Sequence, residues 1–89
     1  MLMVKSLDAS KTLDRIQKRF EKVHSLIERA ADVKNVQQVR NYLVQLKVLL
    51  GKCEPLRSRF IMGAGLNLSY YIDDDIRNYK AKLKSWEAQ

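Results

Sequence analysis

Apolar residues recur every three or four positions through three long stretches of this chain. The widest such pattern is in the middle, between Val36 and Met62. Val36, Val39, Leu43, Leu46, Leu50 and Cys53 form one line, and Tyr42, Leu49 and Leu56 form a second beside it. That spacing is one face of a helix. Two adjacent lines make a face wider than one partner helix covers. This helix is therefore expected between two others, touching both.

The flanking stretches each carry one narrower stripe. Leu13, Ile16, Phe20, Val23, Ile27 and Ala30 predict a first helix from about residue 10 to Val33, with a heptad seam. Asp8, Ser10 and Thr12 are competent N-caps for it, and Leu2, Val4 and Leu7 are expected to cover one end of the core. On its polar side Asp14, Glu21 and Glu28 make one line, with Arg15, Lys22 and Arg29 next to it. Asp14 is one turn from Lys18, a pairing that stabilises by a few tenths of a kcal/mol, about 0.2–0.5. Ile72, Ile76, Tyr79, Leu83 and Trp86 predict a third helix from about Leu68 to Glu87, capped by Asn67 or Ser69. Asp73, Asp74 and Asp75 then fall in its first turn, and Lys80, Lys82 and Lys84 toward its end, an order that suits the helix dipole.

Two connections separate these elements. Asp32-Val33-Lys34-Asn35 reads as a tight link with Asn35 capping the second helix. Gly63 or Gly65 is expected to end the second helix in the left-handed conformation. The surrounding Phe60 to Leu68 segment would be an apolar turn that plugs the end of the bundle or meets a partner. Pro55 cannot donate to the Gly51 carbonyl, so a kink is expected near it. The fold class expected is all-α: an antiparallel up-down-up three-helix bundle, with the middle helix kinked near Pro55. The core expected is Leu13, Ile16, Phe20, Val23, Ile27, Val39, Leu43, Leu46, Leu50, Phe60, Ile72, Ile76, Tyr79, Leu83 and Trp86.

Composition narrows the class. Eighty-nine residues, 46% of them hydrophobic, suit one domain, residues 1–89, or one domain cut from a longer protein. No apolar run approaches the roughly 18 residues that cross a membrane. A single cysteine, placed on the core stripe, points to an intracellular (cytoplasmic or nuclear) setting. The net charge is +7 and unevenly spread: +3 over residues 1–35, +4 over 36–65 and zero over 66–89. Acidic proteins, nucleic acid and anionic membranes are the partners such an excess favours. Membrane contact is disfavoured, because the core needs the apolar face of each helix.

Candidate chemistry is sparse. His24 and Cys53 are single residues of their type. A Cys–His pair across the first two helices lacks an orienting group and an oxyanion site, and one of each is too few for zinc. Consecutive carboxylates on a helix point about 100° apart, so Asp73, Asp74 and Asp75 do not converge on one ion. No glycine-rich phosphate loop is present. No catalytic residue, metal or cofactor is therefore expected. The function expected is a non-enzymatic protein-interaction module with a basic surface, taking a partner's helix or acidic surface. Its candidate contacts are Arg40, Lys47, Arg57, Arg59, Phe60, Met62 and Leu66. The alternative is sequence-nonspecific nucleic-acid binding through Lys11, Arg15, Lys18, Lys22 and Arg29, weakened by the acidic residues that recur on the first helix at every turn. The first helix is also regular enough to pair with a second copy.

Overall fold

The computed structural model describes the backbone of residues 2–57 and 62–88 and the side chains of residues 11–54 and 67–88. Arg59 and Phe60 lie outside the described residues. So do the side chains of Leu2, Val4, Leu7, Leu56, Arg57, Met62 and Leu66.

The described chain is all helical: α1 is Leu2–Asp32, α2 is Val36–Arg57 and α3 is Met62–Ala88. They pack as an elongated bundle of 55 × 18 × 14 Å. Helix α2 packs closely against both neighbours, whereas α1 and α3 approach each other much less. The wide apolar face of α2 is the reason, since it alone has two lines of side chains to bury. Leu43, Leu46, Leu49 and Cys53 of α2 are buried with Ile16, Val23 and Ile27 of α1 and Leu68, Ile72, Ile76 and Leu83 of α3. Phe20, Leu50 and Trp86, expected in the core, are half-buried and pack against it.

The link from α1 to α2 is built from hydrogen bonds. Asn35 N–H donates to Ala30 O (2.9 Å) and Lys34 N–H to Ala31 O (3.0 Å). This crossed pair closes a helix with a left-handed residue, and Lys34 is that residue, at φ 52°. Glycine takes this conformation freely; lysine does so at a cost. Asn35 then opens α2, its Oδ1 accepting from Gln38 N–H at 3.2 Å. The asparagine cap expected there is present.

Three boundaries differ from the sequence expectation. Helix α1 begins at Leu2, because residues 2–9 hold good helix formers and no glycine or proline, so Asp8, Ser10 and Thr12 are interior. Helix α2 ends at Arg57 rather than Met62 and runs through Gly51 and Pro55. Helix α3 begins at Met62, so Gly63, Ala64 and Gly65 start a helix instead of ending one, and Asn67 and Ser69 are not its caps. Its apolar stripe, extended back to Leu68, outweighs the glycine penalty of about 1 kcal/mol each. Asp73, Asp74 and Asp75 consequently lie about three turns inside α3, and its last turn holds no basic residue. The dipole argument for these charges therefore fails at both ends.

Candidate interaction surface

The charges of α1 are sorted by edge. Arg19 Nη2 donates to Gln45 Oε1 of α2 at 3.2 Å, which marks the edge facing α2. On a 3.6-residue helix, Arg15, Lys22 and Leu26 flank Arg19 on that edge, and Lys11, Lys18 and Arg29 lie just outside it. His24 Nδ1 donates to Asp75 Oδ2 of α3 at 2.5 Å, which marks the opposite edge. Gln17, Glu21 and Glu28 flank His24 there, and Asp14 and Asp32 lie just outside. The acidic residues that recur at every turn of the sequence thus belong to one side of the helix and the basic residues to the other.

The α2-facing edge is open. Lys11, Arg15, Lys22 and Arg29 are exposed, and none has an ion pair among the described residues. Lys18, at the border, pairs with Asp14 at 3.2 Å. Across the groove, the outward positions of α2 beside Gln45 are Gln38, Asn41, Val48 and Lys52. Among the described residues this strip carries no carboxylate.

The α3-facing edge is a seam bridged by side chains. His24 bridges Asp75 and Glu28, the latter at 3.5 Å, and its ring lies 5.8 Å from that of Phe20. The Asp75 side chain is 11% exposed and owes its burial to this partner. Its neighbours diverge as helix geometry requires: Asp73 pairs with Arg77 at 3.0 Å and Asp74 faces solvent. Buried Tyr79 sits in the same seam. Burial first, then the charges of Asp75, Glu28 and Asp32, raise its hydroxyl above the ordinary 10.0. His24 engages these carboxylates, and Cys53 is buried in α2. The described residues include no group of three side chains able to hold a metal ion.

The remaining candidates lie on the other side of α2. Arg40 is on its α3-facing edge and pairs with Glu87 Oε1 at 2.5 Å, so this cation is engaged within the chain. Lys47 is exposed two turns on. Between the edges, Val44 and Val48 are 60% and 53% exposed, one turn apart. Gly51 continues their line, and a Cβ added to it would meet nothing within 4 Å. The fold therefore splits the expected contacts: Arg40 and Lys47 stand on one edge of α2, while the α1 cations border the other.

Comparisons with family models, curated proteins and solved structures each found no match. Sequence patterning singled out Lys52 for a basic surface but not Arg19 or Gln45, nor the His24–Asp75 pair. Arg19 and Gln45 are visible on a helical wheel once the α2-facing edge is known. The His24–Asp75 pair needs the spatial offset of α1 and α3. No helix of the described residues is long and apolar enough to cross a membrane.

Proposed function

We propose that this chain is a non-enzymatic helical module that binds another protein through the outer face of α2. The observation that carries this reading is the Val44–Val48–Gly51 line. Two β-branched side chains stand in water on the helix whose opposite face makes the core. A mid-helix glycine costs about 1 kcal/mol against alanine, and no internal neighbour requires Gly51 to lack a side chain. A partner backbone crossing there would make use of that missing side chain. Exposed Lys47 beside the valines favours an acidic amphipathic helix as the partner, with Arg40 held next to it on the same edge by Glu87.

The finer architecture belongs to the same proposal. An up-down-up order is supported by Arg40 meeting Glu87 while Leu50 and Glu54 share a cleft with Ser69 and Tyr70, numbers that run in opposite directions. It is supported also by the offset of 51 residues between His24 and Asp75, which recurs where Phe20 shares a cleft with Tyr71. A bend near Pro55 is supported by the hydrogen bond to Gly51 that proline cannot make. The single buried cysteine supports an intracellular setting.

The test is photo-crosslinking from position 48 in the cells that make the protein, with position 84 on α3 as comparison. A discrete protein adduct from position 48, lost with Arg40→Glu/Lys47→Glu, is expected. No adduct, or the same adducts from position 84, overturns the reading.

A further inference from the structure

The basic strip between α1 and α2 is a second surface that shares only Val48 with the valine line and does not rest on that reading. Lys11, Arg15, Arg19, Lys22, Arg29 and Lys52 line it, and Lys11 to Arg29 spans roughly 27 Å of helix axis. Protein–protein interfaces are built around an apolar centre with a depleted charge content. This strip has the reverse character: cations and amides throughout, with Val48 its one exposed apolar member. Interfaces with nucleic acid are polar and strongly positive. Acidic residues on α1 do not oppose such a ligand, because Glu21 and Glu28 belong to the other edge with His24, Asp32 lies just outside that edge near Tyr79, and Asp14 is paired with Lys18 at the border.

We infer that the α1/α2 strip is a binding site for the phosphate backbone of duplex nucleic acid, engaged without base readout. Duplex is favoured over single strands on the chemistry of the strip. Single strands are held by exposed aromatic rings on which bases stack. The exposed tyrosines, Tyr70 and Tyr71, are both on α3, and Tyr42 is half-buried. A duplex presents one charge about every 1.7 Å of axis, so a rigid row of cations finds partners in many registers. Arg19 is held across the groove by Gln45, which fixes a guanidinium within the strip.

The experiment is fluorescence anisotropy of a labelled 20-base-pair duplex and the matching single strand, across a salt series. Two variants with equal net charge are compared: Arg15→Glu/Lys22→Glu on the strip and Lys80→Glu/Lys84→Glu on α3. Each replaces two cations by two anions, taking +7 to +3. All four positions are exposed, and circular dichroism checks that each variant folds. The duplex is expected to bind in the micromolar range at low salt. The strip variant should weaken binding at least about 30-fold and flatten the log–log salt slope by about 2, one unit for each phosphate no longer engaged. The α3 variant should weaken it less than about threefold. Equal weakening by both variants would assign binding to net charge and overturn the site. Absence of binding at low salt, or tighter binding of the single strand, would overturn it as well.

Discussion

Along the edge of α1 that faces α2, Arg15, Arg19, Lys22 and Arg29 stand in water beside neutral amides. Along the edge that faces α3, Glu21 and Glu28 share a seam with His24, Asp75 and Tyr79, and Asp32 lies just outside it. The same helix therefore presents charge in two ways. Where α1 and α3 approach least, the gap is bridged by charge-assisted hydrogen bonding, and the acids serve the fold. Where α1 packs well against α2 through Ile16, Val23 and Ile27, apolar burial holds the helices, and the flanking cations remain available to a ligand.

The substitution with the largest effect removes the scaffold under both edges. Leu46 is fully buried at the centre of α2. Leu46→Asp buries an unpaired charge and should cost more than about 4 kcal/mol, which unfolds a domain of this size. Loss of the helical circular dichroism signal at 25 °C checks it.

Separating the edges comes next. Asp75→Ala removes the His24 partner from the seam and should destabilise by about 1–2 kcal/mol. Arg19→Ala on the open edge should change stability by less than about 0.5 kcal/mol, since its partner Gln45 remains accessible to water. Denaturant melts of the two variants measure the contrast, and equal losses would abolish the distinction between structural and available charge.

Tyr79 reports on the seam directly. Its hydroxyl ionises above 10.0, while in the unfolded chain it ionises near that value. The unfolded state therefore releases this proton first, so the contribution is complete below pH 10 and lost as pH rises through the folded value. Ultraviolet titration of tyrosinate should show one late phase, absent in Tyr79→Phe. Asp75→Asn should move that phase to lower pH without abolishing it, because burial is the larger cause.

A gain rather than a loss is expected where both edges end. Lys34→Gly relieves the left-handed strain at φ 52° and should stabilise by about 1 kcal/mol. A thermal midpoint several degrees higher is the expected outcome; a lower one would mean that the lysine side chain contributes more than its backbone costs.

Sequence alone determined the number of helices, the apolar stripes, the wide face of α2 and the Asn35 cap. Each rests on local periodicity or on a side chain reaching its own backbone, so no distant contact is needed to read it. It misplaced the start of α3, because Gly63 and Gly65 resemble a stop signal while the stripe through Leu68, Ile72 and Ile76 continues across it. Only the tertiary structure decided what the charges do. Whether Glu21 interrupts a basic surface or lies on another edge depends on which neighbour each side of α1 meets. Asp75 looked like a helix-terminal charge until His24, 51 residues away in sequence, was set against it. Spacing along one helix gives the angle between two side chains, and packing alone decides which angle faces water.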